Sequence, residues 1–204
     1  MSEKINKFLD ERIDEKNKIN NKLKNSLFKS KVNKCIKLIF RSLKDGGKIL
    51  LCGNGGSAGD AQHLAAELLV RLRPKVNRRG LPALSLATDI STITACANDF
   101  SYDKIYSRNL ETLGNRKDIL IAISTSGNSK NILEVLKSAK KKKITSIAFL
   151  GNNGGSAKKY ADIDLIIPSK ITARIQECHI FLGHVIFEAV ENLIISKSEK
   201  KKSF

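Results

Sequence analysis

The chain divides into two rhythms of apolar and polar positions. In the first 45 residues apolar side chains recur at helical spacing: Ile5, Phe8, Leu9 and Ile13, then Leu27, Val32, Ile36, Ile39, Phe40 and Leu43. Asn20, Asn21 and Asn25 mark a break between two helices, and Asp45-Gly46-Gly47 ends the region with a turn. A different pattern follows. Five short apolar runs stand at 48–52 (KILLC), 83–87 (ALSLA), 118–123 (DILIAI), 145–150 (TSIAFL) and 163–167. Helical patterns lie between and after them, at 57–71, 128–141 and 172–196, with a short helix after Gly154-Gly155. Continuous apolar runs of this length, alternating with helices, predict buried strands of a parallel sheet covered on both faces. The expected architecture is one α/β domain over 46–196, a helical extension over 1–45 and a basic tail over 197–204.

Composition adjusts this picture only slightly. The chain has 204 residues and is 41% apolar, enough for a core at this length. It carries 37 Lys and Arg against 20 Asp and Glu, a net charge of +17. Lysines dominate and scatter among asparagines and isoleucines. Of the two real clusters, Lys140–Lys143 suits the C-terminus of a helix, and Lys197, Lys200, Lys201 and Lys202 belong to the tail. Neither is interleaved with aromatic residues, which argues against a nucleic-acid platform and leaves a field that attracts a small anion. No apolar run reaches the roughly 18 residues that cross a bilayer, so no membrane partner is expected. The polar, acid-bearing start is no secretory signal, so the expected setting is cytoplasmic. Cys35, Cys52, Cys96 and Cys178 form no CxxC pair and read as buried reduced thiols.

Four groups of residues carry chemistry. Gly53-Asn54-Gly55-Gly56-Ser57 follows the first strand and opens a helix. Glycines there admit a ligand to the backbone, and the helix N-terminus favours an anion; a plain strand-to-helix turn has the same look. It is neither a GxGxxG fingerprint nor a P-loop. Ser124-Thr125-Ser126-Gly127-Asn128-Ser129 follows the third strand, with four hydroxyls where a cap needs one, and suits a phosphate monoester. His63 and Glu67 stand four apart on one helix face, as a zinc-ligand pair, an acid–base pair or a simple side-chain contact. The last helix holds Arg174, Gln176, Glu177, His179 and His184; His184 sits among apolar neighbours and reads as either core or ligand, and His179 as structural.

Taken together, GNGGS (53–57), AQHLAAEL (61–68), AND (97–99), STSGNS (124–129) and ARIQECHIFLGH (173–184) resemble the bacterial phosphoheptose isomerases of the sugar isomerase (SIS) fold, over almost the whole chain. The resemblance implies a five-stranded parallel sheet flanked by helices, a single SIS-type domain, and a homotetramer with intersubunit sites. It implies interconversion of sedoheptulose 7-phosphate with D-glycero-D-manno-heptose 7-phosphate, the first step toward nucleotide-activated heptose for lipopolysaccharide or other surface glycans. Carried over by motif, the zinc ligands are His63, Glu67, Gln176 and His184, one zinc per subunit, with Glu67 and His184 catalytic. Substrate contacts fall on Asn54, Gly55, Gly56, Ser57, Glu67, Arg71, Asn98, Asp99, Ser124, Thr125, Ser126, Ser129 and Gln176. Gln176 and His184 lie eight apart, about 12 Å along a straight helix, which favours ligands drawn from two subunits. Ala173 departs from an aspartate found in some relatives, and the loop around Arg73 to Arg79 looks extended. The alternative is a non-catalytic SIS-domain binding protein of the kind that associates with a replication initiator; as a class those lack the helix glutamate and second histidine that this chain carries.

Overall fold

The computed structural model describes residues 1–200, with side chains through Ser196. The predicted basic tail lies partly outside the described residues; the final helix continues to Lys200 rather than ending at Ser196. Helices α1 (Ser2–Leu23) and α2 (Ser26–Lys44) meet at the predicted break, where the Asn25 side chain accepts a hydrogen bond from the Phe28 amide at 2.8 Å and caps α2. Then come β1 (Ile49–Gly53), α3 (Gly56–Leu69), β2 (Ala83–Ser85), α4 (Ile90–Asp99), α5 (Ile105–Leu113), β3 (Ile119–Ser124), α6 (Lys130–Lys142), β4 (Thr145–Gly151), β5 (Ile163–Ile167) and α7 (Thr172–Lys200). Single 3₁₀ turns occupy Tyr102–Lys104 and Ala157–Lys159, the second where a short helix is expected after Gly154-Gly155.

The five strands form one parallel sheet in the order β2-β1-β3-β4-β5. Side chains alternate across it. Ile49, Leu51, Ile121, Ile147, Phe149 and Leu165 face α2, α3 and α7, burying Cys35, Ile39, Leu64, Leu68, Leu182 and Phe187 against them. Leu50, Cys52, Leu120, Ala122, Ala148 and Leu150 face α5 and α6, with Leu110, Val135 and Leu136. Each fully buried aliphatic side chain contributes about 1.5–3 kcal/mol, so both faces are stabilised independently of any ligand. The N-terminal extension is unequal: α2 enters the first core, whereas Phe8, Leu9 and Ile13 on α1 stay about half exposed.

Helices α4 and α5 have no counterpart in the hydrophobic pattern. Ile90, Thr92, Ile93 and Thr94 are β-branched residues that weaken helix propensity, so α4 depends on its cap, the Asp89 carboxylate accepting from the Ser91 amide at 3.0 Å, and on packing of Cys96. The run at 83–87 is a strand only over Ala83–Ser85, at the sheet edge. The membrane expectation needs one correction: Thr172–Ser196, mean hydropathy 1.5 in its most apolar stretch, is long and apolar enough to cross a bilayer. Its apolarity serves the core, where Ile175, Cys178, Leu182, Ile186, Phe187 and Val190 are buried.

Candidate active site

The strand order reverses between β1 and β3, since the chain moves to β2 on one side and to β3 on the other. Ligands of open parallel sheets bind outside the carboxyl ends of the strands flanking such a point. Both candidate loops stand there: 53–57 leads from β1 into α3, and 124–129 from β3 into α6.

The β3 loop is curled and rich in hydroxyls. The Ser124 hydroxyl accepts from the Gly127 amide and the Ser126 hydroxyl from the Asn128 amide, both at 3.1 Å, which curls the loop. Ser129 is the N-cap of α6 but makes no side-chain capping bond, so the surplus of hydroxyls exceeds what the helix needs. Gly127 has φ +66°, and a Cβ there would lie 2.2 Å from the Gly154 carbonyl oxygen, so only glycine closes the loop against its neighbour. The opposite loop also ends in an N-terminus without a side-chain cap, at Gly55. Ser57 is buried and Thr125 half-buried.

Asn54 is held by side chains of neighbouring elements. Its amide forms a reciprocal pair with Asn131, at 2.8 and 2.9 Å, and its Oδ1 also accepts from the Tyr102 and Tyr106 hydroxyls at 3.3 Å. It ties the two loops together. Asn131, Tyr102 and Tyr106 thus border the candidate site, where the sequence reading did not place them; Asn131 follows the STSGNS motif by two positions, the one signal that pointed to it.

The reactive cluster forms on the other side. Residues 63 and 67 are one turn apart on α3, and His184 comes from α7. The Nε2 atoms of His63 and His184 are 2.9 Å apart, the rings nearly perpendicular at 73°, and His63 Nε2 lies 3.3 Å from Glu67 Oε1. Two imidazole nitrogens this close require a proton or a cation between them. One ligand atom from each of the three residues lies within 4.8 Å of the others, a nitrogen, nitrogen and oxygen set that can hold a metal ion. Glu67 is the more shielded member, its side chain 19% exposed against 51% for His63. One turn before His63, Asp60 has a buried, unpartnered Oδ2; burial pushes its pKa up, and the His63 charge opposes that.

Three of the four expected metal ligands therefore meet within one chain, with no second subunit needed for His184. Gln176 packs elsewhere, against Gly56 at the head of α3, its Nε2 2.7 Å from where a Cβ would stand. Arg71 is exposed just beyond α3, and Asn98 and Asp99 are exposed at the end of α4, joined by a hydrogen bond at 2.9 Å. His179 is fully buried and its Nε2–H donates to the Leu150 carbonyl at 3.0 Å, as expected of a structural histidine.

Known proteins of similar sequence and fold identify the family. The SIS domain family matches residues 14–151. Phosphoheptose isomerase of Chlorobaculum parvum is 50% identical over 158 residues, 77% of this chain and 76% of that protein. The Helicobacter pylori (strain P12) phosphoheptose isomerase is 47% identical over 163 residues, covering 80% and 84%. The structure of phosphoheptose isomerase GmhA from Neisseria gonorrhoeae superposes with a TM-score of 0.84 at 35% identity, covering 92% of this chain and 99% of that one. The chain belongs to the SIS-domain family and, within it, to the phosphoheptose isomerases. It is thereby an aldose–ketose isomerase.

Proposed function

We propose that this chain interconverts sedoheptulose 7-phosphate and D-glycero-D-manno-heptose 7-phosphate through an enediol, at the head of nucleotide-activated heptose synthesis. The observation that carries the reading is the His63–Glu67–His184 cluster, two of whose members stand on α3, the helix that opens from the strand-end loop at the switch point. The isomerisation moves one hydrogen between C1 and C2. The Glu67 carboxylate takes the C1 proton of the ketose, the C2 oxygen gains a proton from the His184 imidazole, and the C1–C2 enediol forms. Return of the proton from Glu67 to C2, and loss of the O1 proton to His184, leaves the aldehyde at C1 with no net change in electrons.

The 124–129 loop and the head of α3 hold the phosphate at the far end of the sugar, through backbone N–H groups and the Ser126 and Ser129 hydroxyls. His63, Glu67 and His184 suit zinc by donor type, and Gln176, which packs at the head of α3, would complete the set only from another subunit; zinc bound there would polarise the carbonyl and stabilise the enediolate. Arg71, Asn98 and Asp99 are sugar contacts in this reading. A homotetramer with intersubunit sites has support in the exposed apolar face of α1 and in a groove of about 850 Å³ between α1, α2 and α7, to which Phe181 and Val185 contribute beside His184. Four buried free cysteines accord with a reducing cytoplasm.

Incubation with sedoheptulose 7-phosphate in D₂O tests the proposal by NMR. Deuterium should enter C1 of the ketose and C2 of the aldose, and about one zinc per chain should accompany active protein. No aldose signal and no exchange at C1 would reject the substrate.

A further inference from the structure

Beyond the reacting groups, the packing of α3 on α7 repeats along both helices in the same direction. Gln176 meets Gly56; Gly183 meets Leu64, whose side-chain carbons lie 2.5 Å from where a Cβ on residue 183 would stand; and His184 meets His63. The row continues to Glu191, seven residues beyond His184 and so on the same face of α7. Glu191 is a buried carboxylate, 1% exposed, and two arginines of the loop after α3 close on it: Arg78 Nε at 2.6 Å and Arg73 Nε at 2.7 Å. Arg73 also donates to Asn192 at 2.6 Å.

Arg78 does more than neutralise the acid. Its side chain is 4% exposed, and its remaining donors reach the last carbonyls of α3: Nη2 to Glu67 at 2.8 Å and Nη1 to Leu68 at 2.9 Å. Those carbonyls have no partner within the helix, and a cation suits that end of the dipole. A single planar guanidinium therefore bonds the backbone of the proposed base residue on one side and a carboxylate of α7 on the other. The extended loop of Arg73 to Arg79, which the pattern of strands and helices left without a task, supplies it.

We infer that Arg78, seated on Glu191, is a positioning residue: it sets the register of α3 against α7 and thereby the spacing of His63 and Glu67 from His184. The inference rests on the reading of that trio as the isomerase centre. Its role is separable from that of the trio, because Arg78 touches the backbone of Glu67 and not its carboxylate.

The test uses the full chain with Arg78→Met, Arg78→Lys and Glu191→Gln, with exposed Arg79→Met as control. Turnover of sedoheptulose 7-phosphate and the ¹⁵N imidazole signals of the ligand-free protein are measured together. Arg78→Met should lower kcat about tenfold to hundredfold with KM changed less than about threefold, as expected when reacting groups are displaced by a fraction of an ångström to an ångström. The His63 and His184 signals should move while His179, on the same helix, keeps its position. Arg78→Lys, which preserves the charge on Glu191 but cannot span both carbonyls, should restore part of kcat. A folded Arg78→Met with native kcat and native imidazole signals overturns the inference. If Arg78→Met does not fold, unmoved signals and kcat in both Arg78→Lys and Glu191→Gln overturn it instead. A native chain without turnover would reject the isomerase reading, and the imidazole signals alone would then decide the clamp.

Discussion

The two halves of the proposed site are made of different materials. The anion half, between β1 and β3, is backbone: curled amides, helix N-termini and short hydroxyls attached directly to strand ends. The reacting half, on α3 and α7, is side chains from positions 121 residues apart, brought together by helix packing. The first half is local and is specified where it stands. The second depends on the register of two helices. The difference predicts that binding and turnover respond to separate substitutions.

The largest effect should come from the reacting half. Glu67→Gln removes the carboxylate proposed to accept the carbon-bound proton but keeps the shape of the side chain. Steady-state assays should give a kcat lower by about a hundredfold to ten-thousandfold, the range for loss of a general base, with KM little changed. Equal losses in binding and turnover would make Glu67 a substrate anchor and blur the division. The anion half should answer in the opposite sense. Ser126→Ala combined with Ser129→Ala removes two hydroxyl donors to a charged group, each worth about 1.5–3 kcal/mol, so KM should rise at least tenfold while kcat holds within a few-fold. An unchanged KM would leave the phosphate to other contacts.

The same contrast explains what could be read from the sequence. The loops at 53–57 and 124–129 are contiguous, so glycines and hydroxyls at strand ends announced them directly. The five strands were legible because strands buried on both faces are apolar at every position, as Leu50, Leu51, Leu120 and Ile121 are. The pairing of His63 with His184 was not legible from spacing: His184 sits in a run that looks like core, and only the family resemblance joined them. The contact of Asn54 with Asn131 was not legible because the two lie 77 residues apart. Helices α4 and α5 escaped because β-branched residues and short length hide helices that tertiary packing stabilises. Arg78 escaped because nothing local distinguishes it from Arg79, whereas in the fold one is buried on Glu191 and the other exposed.

The smallest expected effect separates two histidines of one helix. His179 and His184 are five residues apart on α7, yet His179 faces the sheet, near the Phe149 ring, and His184 faces α3. Burial pushes the His179 pKa down to about 4, against a hydrogen bond to Leu150 that acts the other way. The unfolded chain, with an ordinary histidine pKa of about 6.5, then binds more protons than the native one between these values. Stability is complete above pH 6.5 and declines as pH falls toward 4, by about 1.5 kcal/mol between pH 6.5 and 5 from this group. Glu134, held near 2 by hydrogen bonds from Lys104 and Lys137, stabilises above the ordinary carboxylate range and is lost only below about pH 4.5, outside that window. Denaturant unfolding at pH 6.5 and 5 should therefore show a smaller difference in His179→Gln, which can still donate to the Leu150 carbonyl, than in the native chain. Turnover at neutral pH should stay within about twofold of native, because this imidazole packs on β4 and touches none of the reacting groups. An undiminished stability slope in His179→Gln would transfer the acid sensitivity to other groups, while a collapse of turnover would mean that the core face and the reacting face of α7 are coupled through the helix itself.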